Sequence, residues 1–321
     1  MIRFSKMHGA GNDFVVIDAC RQSIPVEQVD WRQLADRHFG IGADQILIVQ
    51  PPQDSRNDFR YRIFNADGAE VEQCGNGARC FVRFVHEQGL SEKKKLAVET
   101  LTGLIAPELI DEASVKVDMG FPRFDMRSLG FVDGSVSVDK SVSVDESVSV
   151  IDQSMGIVDK GRAGAAIQFM TRGRVEMLRM ESPATHLLPQ LDIELVSMGN
   201  PHAVVFLNRP ADDALLQIIG PFVCNHPVFP KQINVGFAFL QAPDQLVLRV
   251  YERGAGETLS CGTGACAAAV LAMEQKSPLS SLQVRTRGGN LWVEWAGGQS
   301  TVAMLGPAST VYEGRVVLPL R

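Results

Sequence analysis

The sequence predicts an α/β protein made of two similar halves, because one cysteine motif occurs twice and strand patterns alternate with helix patterns. The motif reads CGNGARC at 74–80 and CGTGACA at 261–267. In each copy a Cys precedes Gly-x-Gly and then a small or apolar run with helical spacing. Two matched thiols in two matched loops suggest a site assembled from two halves.

The repeat extends well beyond the cysteines. The matched pairs are Asn12 with Asn200, Asn65 with Glu252, and Cys74 with Cys261. The first pair is separated by 188 positions and the other two by 187. Three ordered matches at a nearly constant offset indicate a duplicated architecture, because a fixed period reflects repeated folding units.

The elements of the first half follow from hydrophobic periodicity. Alternating or continuous apolar runs predict strands at 13–18, 45–49, 59–65, 96–100 and 114–119. Helical spacing predicts helices at 30–39 and 77–88. The second helix has an apolar stripe, which indicates the side that packs into the core: Cys80, Phe81, Phe84 and Val85.

The second half repeats this order. Its predicted strands lie at 195–207, 233–240, 245–251, 282–286, 290–295 and 301–305. An Ala-rich helix is expected at 264–274, because Ala has the highest intrinsic helix propensity. A last strand near 312–318 is expected to rejoin the first domain.

The predicted domains are 1–119 plus 307–321 for the first half and 120–306 for the second. A low-complexity insertion at about 129–160 interrupts the second half; its core, 135–150, reads SVSVDKSVSVDESVSV. Polar repetitive sequence buries little apolar area, which favours a solvent-exposed insertion. The alternation of Val with Ser leaves an added hairpin as the alternative.

Composition excludes several classes of function. The 321 residues are 45% hydrophobic and 21% charged, which is typical of a globular protein. The net charge of −6 argues against nucleic acid as a partner. No apolar run is long enough to span a membrane, and the first residues lack the apolar core of a signal peptide. A cytoplasmic location is therefore expected.

The six cysteines predict neither a disulfide framework nor a metal site. Disulfides are uncommon in a large chain without a secretion signal. The motif cysteines have five and four residues between them, unlike the C-x₂-C spacing of zinc sites. An isolated Cys is usually a small buried hydrophobe. That interpretation applies to the cysteines outside the matched pair: Cys20, Cys80, Cys224 and Cys266.

The paired motifs indicate proton-transfer chemistry. A Gly-x-Gly turn at a helix start leaves backbone N–H groups that can bind an anion. Such a position also lowers the pKa of a thiol. One thiolate and one protonated thiol could then serve opposite faces of one carbon and invert it. The weakly acidic α-proton of an amino acid needs several preorganised donors to stabilise the carbanion-like state.

Six strings closely resemble the diaminopimelate epimerase family: MHGAGNDFVVID, FGIGADQ, FNADGAEVEQCGNGARC, SMGNPHAVVF, INVGF and YERGAGETLSCGTGAC. The resemblance covers nearly the whole chain apart from the low-complexity insertion. It implies an α/β (α+β) fold of two pseudo-symmetric domains, each a curled, mostly antiparallel sheet around a central helix. It implies interconversion of LL- and meso-2,6-diaminopimelate in lysine and peptidoglycan precursor synthesis, without pyridoxal phosphate or metal. It also suggests a homodimer.

The resemblance assigns roles to particular residues. Cys74 and Cys261 match the catalytic pair, with Cys74 the acid and Cys261 the base in one direction and the roles exchanged in reverse. His202 and Glu252 match positions that support the protonation of the thiols. The positions matching substrate contacts are Asn12, Gln45, Asn65, Gly75, Asn76, Asn200, Asn234, Glu252, Arg253, Gly262 and Thr263. Arg253 suits a carboxylate, which a guanidinium can bind bidentately.

Alternatives remain open at this point. A proline racemase or hydroxyproline epimerase resembles the same architecture and also uses two cysteines, although Asn76 and the YERGAGET string favour diaminopimelate. A thiol redox protein and a non-catalytic amino-acid-binding protein are alternatives from other classes. His202 could be a structural histidine, and Asn12 and Asn200 could be turn residues.

Overall fold

The computed structural model describes residues 1–71, 74–111, 114–125, 129, 156–158 and 167–321. The predicted low-complexity segment at 135–150 lies outside the described residues. Two compact units are present. The first comprises Met1–Asp118, Gly288–Trp292 and Ala303–Arg321, and the second comprises Met119–Arg287 and Val293–Val302. The expected architecture of two α/β units is confirmed, whereas the limits set from sequence for independent domains stay a prediction.

The first part of the chain, up to Asp118, consists mainly of strands. In chain order its elements are β1 (Ile2–Gly9), β2 (Asn12–Asp18), α1 (Trp31–Ala35), β3 (Gln45–Gln50), β4 (Phe59–Asn65), β5 (Glu70–Val71), α2 (Gly75–Glu87), β6 (Val98–Thr100), β7 (Gly103–Ile105), β8 (Glu108–Leu109) and β9 (Val115–Asp118). A short 3-10 helix at Val26–Gln28 precedes α1.

The next elements are β10 (Gly156–Val158), β11 (Ile167–Arg172), β12 (Val175–Glu181), β13 (Gln190–Ser197), β14 (Pro201–Phe206), α3 (Asp213–Cys224), β15 (Asn234–Ala242), β16 (Gln245–Glu252), β17 (Gly256–Thr258), α4 (Gly262–Gln275) and β18 (Ser281–Thr286). The last three are β19 (Gly289–Glu294), β20 (Ala303–Gly306) and β21 (Ser309–Val316).

The main sheet of the first unit runs in the order β21-β1-β2-β3-β4-β6-β7, with β5 paired to β4. Two neighbouring pairs, β2 with β3 and β4 with β6, are parallel, and the others are antiparallel. Side chains are buried on both faces of β2 and β3, as expected for a parallel pair covered on each side. Trp31 stacks on Phe64 beneath one face, with ring centroids 5.0 Å apart.

Helix α2 covers the other face of this sheet and packs against β1, β2 and β3. Its Phe81 ring meets Tyr61 edge-on at 5.3 Å and Phe59 at 6.0 Å. These contacts bury the apolar stripe predicted from sequence. They also fix the start of α2, where the first cysteine motif lies, relative to the strands.

The sheet of the second unit runs β10-β11-β12-β13-β14-β15-β16-β18, with β17 paired to β16. The pairs β14 with β15 and β16 with β18 are parallel, and the rest are antiparallel. Helix α4 packs against β13 to β16 and β18, and residues 265–272 are completely buried. A helix enclosed on all sides must be apolar throughout, and small Ala side chains allow the strands to approach it closely.

Several sequence-based elements need correction. The helix expected at 30–39 ends at Ala35, because the Asp36 carboxylate accepts the amide N–H groups of His38 and Phe39, each at 2.7 Å, in place of helix continuation. The strand expected at 195–207 is two antiparallel strands, β13 and β14, joined at Gly199 with φ of +90°. Strands β1, β5, β7, β8, β10, β11, β12 and β17 and helix α3 were not predicted. None of the helices among the described residues is long and apolar enough to cross a membrane.

Candidate active site

The first predicted thiol lies at the start of α2. Cys74 is the N-cap residue, in extended conformation with φ −141° and ψ 121°, and Gly75 is the first helical residue. The Cys74 side chain is half-buried, and its Sγ lies 3.7 Å from Oδ1 of Asn12. A thiol at this distance donates to the amide oxygen. The structure therefore brings Cys74, Gly75 and Asn12 together.

Two further predicted residues face each other on adjacent strands. Gln45 on β3 pairs in register with Phe14 on β2 and with Asn65 on β4. The Gln45 side chain donates from Nε2 to Asn65 Oδ1 at 2.8 Å. Both side chains are half-buried. They form a neutral amide pair between the first residue of β3 and the last residue of β4.

Asn76 is buried one residue further into α2, with 2% of its surface exposed. Its Oδ1 accepts from Nη2 of the completely buried Arg79 at 2.9 Å. The Arg79 Nε also donates to the carbonyl of Pro307 at 3.2 Å. Asn76 is thus held by a guanidinium that was not among the predicted site residues, although it belongs to the CGNGARC motif.

Tyr61 lies under the first turn of α2 and was also missed. A methyl group on Gly77 would sit 2.6 Å from the Tyr61 hydroxyl oxygen, so only glycine fits between the ring and the helix. Burial raises the pKa of Tyr61 well above its ordinary value, and the nearby thiols of Cys74 and Cys80 add to the effect. The phenol is therefore neutral.

The second predicted thiol lies at the start of α4. Cys261 is the N-cap residue, with φ −118° and ψ 115°, and Gly262 begins the helix. Cys261 is buried, and its Sγ lies 3.5 Å from Oγ1 of Thr263. Burial raises the pKa of Cys261 well above its usual value. The charge of Glu252 and its hydrogen bond to the thiol act in the same direction, against smaller opposing contributions from Thr263 and the Gly264 N–H.

Three predicted residues lie at the start of β15 or at or just after the end of β16, and one of them, Glu252, faces the Cys261 thiol. Its Oε1 accepts a hydrogen bond from the Thr258 hydroxyl at 2.5 Å. The backbone N–H of Arg253 donates to Asn234 Oδ1 at 3.0 Å, which joins the end of β16 to the start of β15. The Arg253 guanidinium donates to the carbonyl of Lys231 at 3.2 Å and is half-buried.

His202 is buried on β14, two residues after Asn200. Its Nε2 lies 3.0 Å from Asn200 Oδ1. Burial lowers the pKa of His202 to about 3, and the charge of Arg253 adds to the effect. The imidazole is therefore neutral, with Nε2 as the donor to the amide oxygen. It orients Asn200 rather than supplying a charge.

The two thiols have chemically different surroundings at matched positions. Asn65 in the first unit corresponds to Glu252 in the second at the same 187-residue offset as the cysteines. The first thiol faces a neutral amide, whereas the second faces a carboxylate that can accept a proton. Two thiols that differ in this way suit two different proton-transfer roles. Among the described residues, no group of three or more His, Cys, Asp or Glu side chains could hold a metal ion.

Solved structures share the fold at low sequence identity. A phenazine biosynthesis protein of the PhzF family from Bacillus anthracis has a TM-score of 0.58 and 15% identity, with 99% of each chain covered. A probable proline racemase from Agrobacterium radiobacter has a TM-score of 0.59 and 16% identity, covering 99% of this chain and 93% of that one.

Sequence relatives define the class as an isomerase of the epimerase type. A protein named diaminopimelate epimerase from Aromatoleum aromaticum is 46% identical over 315 residues, covering 98% of each chain. One of the same name from Cupriavidus taiwanensis is 44% identical over 318 residues, covering 99% of this chain and 98% of the relative. The model of the family described as Diaminopimelate epimerase matches residues 4–124 and 194–311. The chain belongs to the diaminopimelate epimerase family.

Proposed function

We propose that this chain interconverts LL-2,6-diaminopimelate and meso-2,6-diaminopimelate by proton transfer between two cysteines. The observation that carries the proposal is the pair of helix-capping thiols, Cys74 and Cys261, with different hydrogen-bond partners. The substrate is inferred from relatives named diaminopimelate epimerase, such as the one from Aromatoleum aromaticum, which is 46% identical over 98% of this chain.

The proposed reaction needs one thiolate and one thiol on opposite faces of the substrate α-carbon. In one direction Glu252 takes the proton of Cys261, and the resulting thiolate removes the α-proton. Cys74, whose proton points to Asn12, then donates it to the other face. In reverse the two thiols exchange roles.

Charge that develops at the substrate α-carboxylate requires fixed donors. The N–H groups at the starts of α2 and α4 are suitable, because the first turn of a helix leaves them without internal partners. The Gly75 and Gly262 positions let a substrate approach those groups closely. Arg253 is the proposed partner for a carboxylate, because a guanidinium binds one through two parallel hydrogen bonds.

The remaining amides would fix the amino and carboxylate groups of the substrate. The proposed contacts are Asn12, Gln45, Asn65, Asn76, Asn200, Asn234 and Thr263. His202 would act through Asn200, since its Nε2 already donates to the Asn200 amide oxygen. We further propose that the reaction uses no pyridoxal phosphate or metal, that the protein acts in the cytoplasm in lysine and peptidoglycan precursor synthesis, and that it is a homodimer.

The test is proton NMR of LL-diaminopimelate with reduced protein in D₂O. We expect loss of the α-proton signal and appearance of the meso isomer. In a two-base reaction the product carries solvent deuterium from the start, while unreacted substrate keeps its proton early in the time course. Product that retains the original α-proton would contradict the two-thiol route.

Single substitutions test whether activity depends on the two motif cysteines and not on other thiols. Cys74→Ser and Cys261→Ser should each lose isomer formation by about a hundredfold or more. Cys20→Ser is the matched control, because Cys20 is a half-buried thiol outside both motifs, and it should retain activity. Proline in place of diaminopimelate should show no exchange, and rapid racemisation of proline alone would overturn the substrate assignment.

A further inference from the structure

The amide of Asn12 is held in one orientation by a carboxylate that the predicted site does not include. Asn12 Nδ2 lies 2.9 Å from Oδ2 of Asp44. A carboxylate only accepts hydrogen bonds, so only the nitrogen end of the amide can face it. The oxygen end is consequently left toward Cys74, whose Sγ lies 3.7 Å from it.

Asp44 is itself fixed by a short network between two loops. Its Oδ2 accepts from the backbone N–H of Asp13 at 3.1 Å, and its own N–H donates to Asp13 Oδ1 at 2.8 Å. Arg37 joins the two carboxylates, with Nη2 at 2.9 Å from Asp44 Oδ1 and 2.7 Å from Asp13 Oδ1. Asp44 thus has a partner for each oxygen and little freedom to turn away from Asn12.

Asp13 holds this network in place through its own carboxylate. Burial opposes its ionisation, but hydrogen bonds from Arg37 and Lys6 outweigh that effect and hold the pKa of Asp13 well below its usual range. The carboxylate therefore stays charged at neutral pH. The loop that carries Asp44 is in this way tied to the strand that begins at Asn12.

The orientation of Asn12 has a chemical consequence for the thiol. An amide oxygen facing the sulfur stabilises S–H, which donates to it, and disfavours the thiolate. At the matched position of the second unit, the oxygen of Asn200 is engaged by His202 at 3.0 Å. Two matched asparagines are therefore oriented by different partners, one by a carboxylate and one by an imidazole.

We propose that Asp44 is a positioning residue that turns the Asn12 amide toward Cys74 and so keeps that thiol protonated. In this role Asp44 acts through Asn12, to which its carboxylate is joined by the 2.9 Å hydrogen bond. The role of Cys74 as proton donor in the resting enzyme rests on the proposed function, whereas the orientation of the Asn12 amide does not.

The direct readout is the reactivity of Cys74 toward iodoacetamide as a function of pH. Only the thiolate reacts, and mass spectrometry of the peptides assigns the product to Cys74. The reduced full-length protein is used without substrate. In Asp44→Ala the alkylation profile should shift to lower pH, so that at a fixed pH below the midpoint the rate rises about threefold to tenfold.

A double-mutant cycle separates positioning from a simple charge effect. Removing a negative charge near a thiol also favours the thiolate. If Asp44 acts through Asn12, then Asp44→Ala should have no further effect in a protein that already carries Asn12→Ala. A shift of the same size in both backgrounds would overturn the proposal.

Asp36→Ala is the matched control. Asp36 is a half-buried carboxylate on the same loop, hydrogen-bonded to the His38 and Phe39 amides and not to Asn12. Its alkylation profile should superimpose on that of the parent protein. Should Asp44→Ala fail to fold, Asp44→Asn takes its place, with a smaller shift expected because its amide oxygen can still accept from Asn12.

The outcomes distinguish this proposal from the proposed function. An unchanged Cys74 profile in Asp44→Ala, with wild-type epimerisation intact, refutes the positioning role alone. Absence of wild-type epimerisation, together with the predicted shift, refutes the proposed function and leaves the positioning role standing.

Discussion

Phe14 and His202 occupy matching positions in the two units. Each follows its motif asparagine by two residues on a strand, Phe14 on β2 and His202 on β14. Each also pairs across a parallel ladder with a polar residue, Gln45 or Asn234. A ring that is apolar in the first unit is therefore titratable in the second, and this difference makes the stability of the second unit depend on pH.

The first prediction concerns acid stability. Burial lowers the pKa of His202 to about 3, from 6.5 for an ordinary histidine. Between these values the unfolded chain binds one proton more than the folded chain, so the unfolding free energy falls as pH decreases. This residue alone should contribute a slope of about 1.4 kcal/mol per pH unit across the window.

His202→Gln should reduce the slope of the unfolding free energy against pH by the equivalent of about one proton over the same window. The measurement is urea unfolding at a series of pH values below neutrality. His186→Gln, at an exposed histidine of the same unit, is the control and should leave the slope unchanged. Equal slopes for wild type and His202→Gln would show that the imidazole is not buried in its neutral form.

The second prediction concerns Gly77 and Tyr61. Alanine at 77 would place a methyl group 2.6 Å from the Tyr61 hydroxyl oxygen, and the fully buried ring has no room to retreat. We expect Gly77→Ala to lower the unfolding free energy by about 1–3 kcal/mol, the usual cost of overpacking. Chemical denaturation measures the loss.

Adding Tyr61→Phe removes the clashing oxygen and should restore most of that stability. The repeat supplies a comparison in Gly264, where the nearest atoms to an added methyl are 3.2–3.4 Å away. Gly264→Ala should therefore cost less stability than Gly77→Ala. The same loss in Gly77→Ala with and without Tyr61→Phe would rule out the hydroxyl as the obstacle.

The third prediction separates the reactivity of Cys261 from catalysis. Glu252 raises the pKa of the Cys261 thiol through its charge and a hydrogen bond, in addition to burial. Glu252→Gln removes the charge, so the thiol should react with a small alkylating reagent at lower pH. Epimerisation should nevertheless slow by about a hundredfold or more, because the proton acceptor for Cys261 is lost.

The control for this experiment is Glu257→Gln. Glu257 is a carboxylate on β17 that pairs with Arg249 and Arg287 instead of the thiol. It should leave both the alkylation profile and the epimerisation rate near those of wild type. A faster enzyme in Glu252→Gln would mean that thiolate formation alone limits the reaction and that no proton passes to Glu252.

The fourth prediction concerns the buried ion pair of Glu194 and Lys276, which joins β13 to the end of α4. Lys276 Nζ also lies 4.1 Å from the ring centroid of Phe206. Lys276→Met leaves an unpaired carboxylate that is 5% exposed, and the unfolding free energy should fall by about 3 kcal/mol. Urea unfolding provides the value.

Burial raises the pKa of Glu194, with Lys276 opposing it. Without the lysine the folded state favours the protonated acid more strongly, so Lys276→Met should regain stability as pH falls. Lys93→Met, which breaks an exposed pair with Asp58, is the comparison and should cost less than about 1 kcal/mol. Matching losses for the two lysines would contradict the assigned burial.

The sequence predicts the helices and strands best where one local pattern dominates. The Ala-rich run predicted at 264–274 is observed as α4 at Gly262–Gln275. Helix α3 was missed because Gly220 and Pro221 interrupt its pattern, although Asp212 caps it with a 2.8 Å hydrogen bond to the Leu215 amide. Only packing of its apolar face against β15 and β16 makes that helix stable.

The candidate site shows a similar division. The repeat places Cys74 and Cys261 at helix starts from sequence alone, because their spacing to Gly-x-Gly is local. The role of Asp44 depends on a side-chain hydrogen bond to Asn12, which lies 32 residues away in the sequence. The role of Arg79 depends on a side-chain hydrogen bond to Asn76, three residues away. Both lie inside the family-like motif strings, but which atoms they contact is set by the folded backbone.

The pairing of β21 with β1 has a consequence for biosynthesis. These strands lie at opposite ends of the chain, and Ile2 pairs with Val316. The sheet of the first unit thus acquires β21 only after residues 309–316 have left the ribosome, and every residue of the second unit precedes them in the chain. Vectorial synthesis therefore allows the later unit to mature first, and a truncated nascent chain would expose the edge of β1 to other strands.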